Sequence, residues 1–337
     1  MGTSEDDWVS GGDGGLDGDR VSGGYRAPGD DWVSGGDRVS GEAGGRPEGR
    51  GAPAPPPADP PVHPPPVDPP VDLPPVALTS LWTLHHRASA ARRKPPLLDD
   101  PVAVELVDRC AWPLETWFGR PRSLPEQYLA RRARLYDAAT AEFLRAHPEE
   151  TVIALGEGLE TQFWRVDNGT VRWLSVDLPD MLALRRAVLP HGGRQRAVGC
   201  SATDPRWAER TGTDIDTPVL ISAQGLFMYL TPAEAAALVR LCAGRFRRGV
   251  LLFDTLPGWV VRCPVRRFLT WGGTFRFPPL HATRRSACPG RVAERPIGPY
   301  TLGTGAAVRP LHLAQRWRWV RTVFMPAFVR LDVSGGR

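Results

Sequence analysis

Between Thr151 and Asp254 short apolar runs alternate with segments patterned for helices, and this alternation limits the fold more than any other feature of the chain. The candidate strands are Val152–Leu155, Val171–Asp177, Arg196–Ala202, Pro218–Gln224 and Val250–Asp254. Between them lie TQFWRV (161–166), LPDMLALRRAVL (178–189) and Thr231–Phe246, all suited to helices. Pro179 is acceptable in a first turn, and Thr231, Pro232 and Glu234 give start signals at N-cap, N1 and N3. Strands that are apolar throughout must be buried on both faces. The pattern therefore predicts an α/β fold whose parallel sheet is covered by helices on both sides.

Two helical stretches come earlier. Leu97–Cys110 follows Pro96, and Pro125–His147 carries apolar Leu129, Ala133, Tyr136, Ala139 and Leu144 near helical spacing. After Pro257 the pattern is harder to read, but the alternation in RWRWVRTVFMPAFVRLDV suggests late antiparallel strands.

The first 75 residues differ in kind from the rest. DDWVSGGD occurs at Asp6–Asp13 and again at Asp30–Asp37, and Pro53–Pro75 reads PAPPPADPPVHPPPVDPPVDLPP. Two glycine-rich copies cannot bury a core, and proline at that density favours an extended polyproline conformation. Residues 1–75 are expected to be a disordered Gly/Asp-rich then Pro-rich tail, with 76–337 as one folded domain. A proline-rich ligand for a partner is an open alternative.

Charge follows the same division. The tail has five arginines against fourteen acidic residues, a net of −9 in a chain of +5, which leaves the body at +14. Lys94 is the only lysine. The arginines are spread along the chain with no interleaved aromatic platform, so no nucleic-acid partner is expected. Cys110, Cys200, Cys242, Cys263 and Cys288 form no C-x-x-C pair, which argues against a disulfide framework and a metal site. With no signal-peptide pattern and no run of 18 apolar residues, the expectation is a cytoplasmic protein without a membrane partner. Oligomeric state is not legible.

In open α/β sheets, ligands sit beyond the carboxyl ends of the strands. Strand one ends in Gly156-Glu157-Gly158. Gly156 permits a tight turn, and Gly158 lacks the Cβ that would block a close approach. A dinucleotide fingerprint needs glycine at 161, where Thr161 stands, and Glu157 and Glu160 oppose a pyrophosphate. Strand two ends in Asp177, 19 residues after Gly158, where an acid can accept ribose hydroxyls or instead cap the Pro179 helix. Strand three leads to Ser201-Ala202-Thr203-Asp204, which can bracket an adenine edge or cap the PRWAER segment. Strand four ends in Gln224-Gly225, followed by Phe227, Met228 and Tyr229, which can pack or line a pocket.

Taken in order, VIALGEGLETQFWRV, VRWLSVDLP and SAQGLFMYL resemble the leucine carboxyl methyltransferase family, in its tetracenomycin-type polyketide O-methyltransferase branch. The resemblance covers roughly Thr79 to Asp254. It implies S-adenosylmethionine as cofactor and a Rossmann-like, doubly wound, seven-stranded, mainly parallel sheet with an N-terminal helical cap. By position, Gly156 and Gly158 would approach the methionine part, Asp177 with its neighbour Leu178 the ribose side, and Asp204 the adenine. Arg132, in RRARLYD, matches a helical arginine that pairs with the methionine carboxylate, and Arg87, in HHRASA, matches an N-terminal basic position. Gln224 stands where relatives acting on protein C-termini carry Glu, which keeps the hydrogen-bond geometry and drops the charge.

The implied reaction is methyl transfer to a carboxylate or phenolic oxygen of a small molecule, such as a polyketide-like metabolite. A carboxylate needs no base. A phenol does, and His85, His86, His281 and His312 are candidates without a distinguishing feature. Arg262, Arg266, Arg267, Arg284 and Arg285 could bind an acidic substrate or simply be solvated. Two rivals stay open: a cofactor-binding but inactive interaction module, and an NAD(P)-dependent oxidoreductase.

Overall fold

A computed structural model describes residues 75–256, 292–296 and 326–333. Residues 1–74 of the expected tail, His281, His312 and the five arginines between 262 and 285 lie outside the described residues, whereas Pro75, expected in the tail, opens the first helix. Four helices come first: α1 (Pro75–Ala91), α2 (Pro101–Cys110), α3 (Leu114–Phe118) and α4 (Ser123–Ala146). The alternating part follows as β1 (Thr151–Leu155), α5 (Gln162–Val166), β2 (Arg172–Asp177), α6 (Pro179–Val188), β3 (Gln195–Gly199) and α7 (Arg206–Glu209). It continues with β4 (Val219–Ala223), α8 (Pro232–Arg245) and β5 (Gly249–Thr255), and β6 (Val292–Pro296) and β7 (Ala327–Val333) come last.

The strands join in the order β3-β2-β1-β4-β5-β7-β6. Every pair from β3 to β5 is parallel, and β7 is antiparallel to both its neighbours, so the sheet is mixed. Of the late antiparallel strands expected from RWRWVRTVFMPAFVRLDV, the part before residue 326 lies outside the described residues and the rest forms β7, whereas β6 and α3 were not legible in the sequence.

Alternation along each strand sends side chains to two separate cores. Ile153, Leu155, Leu174, Val176, Ile221 and Phe253 join Trp207, Leu238 and Phe246 on one face. Val152, Ala154, Trp173, Leu220 and Leu252 join Tyr136, Phe143 and Phe163 on the other. Because both faces are covered, β1 and β4 are buried at every residue, and this is why they read as unbroken apolar runs.

Helix ends follow local chemistry. In α8, Thr231 Oγ1 accepts from the Glu234 amide while the Glu234 carboxylate accepts from the Thr231 amide, closing a capping box. The α2 helix starts at Pro101, four residues later than its apolar pattern, because Asp100 turns its carboxylate back onto the Ala103 amide as N-cap.

Candidate functional site

Strand order places the switch point between β1 and β4, where connections leave in opposite directions, the place above the carboxyl ends at which open α/β sheets form a ligand crevice. Paired register sets Leu155 beside Val176 and Ala154 beside Ser222, so the loops after β1, β2 and β4 emerge together.

Gly156 and Gly158 both have left-handed backbone, at φ 61° and 55°. Their missing side chains serve protein neighbours. A Cβ at 158 would lie 2.9 Å from Ser80 Cβ on α1, and one at 156 would lie 3.0 Å from Leu226 Cδ1. The close approach that requires Gly158 is therefore that of helix α1.

Asp177 is buried at the end of β2. Its Oδ2 accepts from the Gly158 amide at 2.7 Å and its Oδ1 from the Leu178 amide at 2.8 Å. It does not cap α6, whose N-cap is Leu178 with no side-chain bond. Burial pushes the Asp177 carboxyl up, against the pull of these two amides. Each oxygen keeps a free lone-pair direction. Leu178 is 38% exposed, one of few large apolar side chains left in solvent among the described residues.

Asp204 is engaged otherwise. Its oxygens accept from the Arg206 amide and from Arg206 Nε and Nη2, which holds its carboxyl down at about 2. Of its two sequence readings, the structure displays the local turn ahead of α7.

The loop acids are not free charges. Glu157 turns inward to Arg185 Nη2 (2.9 Å), Trp173 Nε1 (3.0 Å) and the Ser175 hydroxyl. Glu160 Oε1 accepts from Arg87 Nη1 (2.8 Å), Arg165 Nη2 (2.9 Å) and the Thr161 amide (3.0 Å). Burial alone would raise the Glu160 carboxyl, but Arg87, Arg165 and Arg132 outweigh it and hold it at about 2. Arginines balance both acids, so they do not repel a pyrophosphate as free charges would. The missing third glycine stands: Thr161 Oγ1 donates to Asp100 and accepts from Arg87 and Arg165 at the heart of the network.

Arg87 is fully buried, with Nη1 on Asp100, Glu160 and Thr161 and Nη2 on the Leu159 carbonyl. It reaches the glycine loop from within. Arg185 grips the same loop through the Gly158 and Glu160 carbonyls. Arg165, Arg185 and Asp100 were not singled out from the sequence, because their partners lie up to 65 residues away.

Arg132 stands at the β4 end. It is 3.6 Å from Asp254 Oδ2, its Nη1 is 3.0 Å from where a Gly225 Cβ would be, and its Nε is buried without a hydrogen-bond partner. Asp254, at the end of β5, accepts from the Tyr136 hydroxyl (2.9 Å) and the Gly225 amide (2.6 Å). An acid closing the fifth strand, Val250–Asp254, is the sequence signal for this position. Gln224 donates from Nε2 to Glu160 Oε2 at 3.0 Å, and its Oε1 is buried without a partner.

These features suit an adenosyl amino acid. The orphaned Arg132 Nε and Gln224 Oε1, the solvent-facing Leu178 and the doubly bonded Asp177 provide a cation, an acceptor, an apolar face and a carboxylate along one edge. His85 and His86 are committed elsewhere. His85 Nε2 meets the Gly119 carbonyl (3.1 Å), and His86 Nδ1 donates to the Trp82 carbonyl (3.0 Å). A concavity lined by Glu142, Arg145, His147, Arg248 and Asp332 lies at the opposite, amino-terminal edge of the sheet.

Residues 80–243 match the family described as leucine carboxyl methyltransferase. Over 187 residues the chain is 32% identical to the tetracenomycin polyketide synthesis O-methyltransferase TcmP of Streptomyces glaucescens, covering 55% of this chain and 67% of that one. The chain belongs to the leucine carboxyl methyltransferase family. Another relative is the S-adenosyl-L-methionine-dependent methyltransferase dpfgK of Gibberella zeae, 30% identical over 196 residues, with 53% of this chain and 65% of the relative covered. The match therefore leaves about a third of each of these two relatives unspanned. Among solved structures, an O-methyltransferase family protein from Burkholderia thailandensis aligns at 16% identity with a TM-score of 0.38, over 63% of this chain and 61% of its own. Every residue described above at the strand ends from Arg87 to Gln224 falls inside the segment matched to the family. Among the described residues no helix is long and apolar enough to cross a membrane, and no cluster of His, Cys, Asp and Glu could hold a metal ion.

Proposed function

We propose that this protein is an S-adenosylmethionine-dependent O-methyltransferase that methylates a carboxylate or phenolic oxygen of a small molecule, of the polyketide-like class its relative TcmP is named for. The observation that carries this reading is that the family match runs through all the strand ends whose side chains suit an adenosyl amino acid.

The cofactor supplies a methyl group already activated on a sulfonium. The protein's task is then to orient and to exclude water, and positioning alone can supply roughly 7–11 kcal/mol. Asp177 would take the ribose hydroxyls on its free lone pairs, and Leu178 would cover one face of the base. Arg132 would receive the carboxylate, its Nε being the donor the fold leaves unused. Asp204 would reach the adenine amine only by yielding an oxygen now held by Arg206. Gly156 and Gly158 would shape the loop, with Arg87 and Arg185 holding its carbonyls. An acceptor that is already a carboxylate would need no proton removed, which fits an edge where His85 and His86 are bound to backbone carbonyls.

A cytoplasmic location goes with this reading. Cys200 and Cys242 are free thiols, as a reducing compartment permits. Residues 1–74 are proposed to be a tail outside the methyltransferase domain.

The test is incubation with methyl-labelled S-adenosylmethionine and a panel of phenols and carboxylic acids, followed by mass spectrometry for gain of one CH₂. Labelled product is expected. Binding of NAD or NADP with no heat from S-adenosylmethionine would sink the reading. Cofactor binding without transfer to any acceptor would favour the inactive module.

A further inference from the structure

We propose that Glu160 is a positioning residue that fixes which end of the Gln224 amide meets the ligand, so that Gln224 Oε1 accepts a hydrogen bond from the ammonium group of a bound amino-acid moiety. This rests on the reading above that the crevice holds S-adenosylmethionine.

The two ends of a glutamine amide have nearly the same shape, so only the partners decide its orientation. Here the partner is an acid held by three donors. Arg87 Nη1, Arg165 Nη2 and the Thr161 amide all point at Glu160 Oε1, and the remaining Oε2 lies 3.0 Å from the Gln224 nitrogen. An ionised carboxylate can only accept. Gln224 must therefore give it the NH₂ end, and the carbonyl end is turned the other way. That oxygen is buried and has no partner within the protein. The next residue, Gly225, rests against the Arg132 guanidinium. The unsatisfied acceptor thus lies one residue from a glycine packed against Arg132, whose Nε also lacks a partner. Acceptor and guanidinium match the ammonium and carboxylate of one α-amino acid.

The same geometry explains why glutamine suits position 224. A glutamate there would face Glu160 across about 3 Å, and two carboxylates at that distance cannot both stay charged without penalty. The identity of residue 224 is tied to residue 160, 64 positions earlier.

The experiment exchanges the pair. In Glu160→Gln, the three donors still demand an oxygen, so the new NH₂ turns toward Gln224. Gln224 then rotates to accept and presents its own NH₂ to the ligand. S-adenosylmethionine binding, measured by titration calorimetry, is expected to weaken roughly tenfold or more, the size of one charge-assisted hydrogen bond. In Glu160→Gln/Gln224→Glu, the carboxylate introduced at position 224 accepts from the amide introduced at position 160 and still offers an oxygen to the ammonium. Affinity is expected to return to within about threefold of the wild type. S-adenosylhomocysteine, which keeps the ammonium and lacks the sulfonium, is expected to show the same pattern.

A purely structural Glu160 would lose affinity with no rescue by the second substitution, and that result overturns the proposal, as does a pattern confined to S-adenosylmethionine. Should Glu160→Gln fail to fold, Gln224→Leu alone decides, because it leaves the arginine network in place and removes the proposed acceptor. Weaker binding supports the proposal, and equal or tighter binding overturns it. Wild-type protein that binds no S-adenosylmethionine would instead remove the functional reading itself, so the two failures are told apart.

Discussion

The Gly158 amide donates to Asp177 Oδ2 at 2.7 Å, so the acid that ends β2 holds the second glycine of the loop that ends β1. The bond spans 19 residues and joins two neighbouring strand ends. One carboxylate therefore shapes the loop and remains available to a sugar. Asp177→Ala leaves the Gly158 N–H without its partner, at a cost of about 1–2 kcal/mol and roughly 2–8 °C in melting temperature. Asp177→Asn is not conservative, because its NH₂ must face the amide of either Gly158 or Leu178. Both variants are expected to weaken S-adenosylmethionine binding at least tenfold, measured by calorimetry. Asn binding as tightly as wild type would refute this role for Asp177.

Gly158 is constrained twice, by its left-handed φ and by Ser80 Cβ at 2.9 Å from any added Cβ. Gly158→Ala is expected to destabilise by about 2–4 kcal/mol, combining backbone strain with overpacking. Ser80→Gly removes only the contact. In urea denaturation, Gly158→Ala should cost roughly 1 kcal/mol less in the Ser80→Gly background than in the wild type. Equal costs in both backgrounds would show that α1 does not limit this position.

Glu160 gives the fold an acid limb. Its carboxyl sits at about 2, below the ordinary 4.5, so its contribution is complete above pH 4.5 and is lost as pH falls through 2. The stability gap between wild type and Glu160→Gln should therefore narrow by something on the order of 3 kcal/mol between pH 7 and pH 2. Denaturant titrations across that range measure it. A constant gap would mean that Glu160 is not held ionised by its arginines.

The capping box of α8 closes on itself, Thr231 with Glu234. Thr231→Ala removes the acceptor of the Glu234 amide and should cost about 1 kcal/mol of stability. S-adenosylmethionine affinity should stay within twofold. A large loss of affinity would mean that α8 positions the β4 loop.

Much of the architecture was legible because its causes are local. β1 and β4 announce themselves as apolar runs because both sheet faces are covered, and α8 does so because Thr231 and Glu234 close a box within four residues. Asp177 could be placed at a strand end from spacing alone. The limits are equally physical. Asp100 moves the start of α2 because capping outweighs the apolar pattern. β6 is a short strand, Val292–Pro296, defined mainly by its pairing with β7.

By itself, then, the order of residues determined the alternating strands, the start of α8 and the residue types that meet above the sheet, since each depends on neighbours a few positions away. Only the tertiary structure decided what those residues touch. It turned Glu157 and Glu160 into arginine partners, committed Arg87 to the loop, set Asp204 on Arg206 and left Arg132 Nε and Gln224 Oε1 unpaired. The physical reason is separation. A hydrogen bond such as Gln224 to Glu160 joins groups 64 residues apart, and no local pattern records which distant partner burial will bring to it.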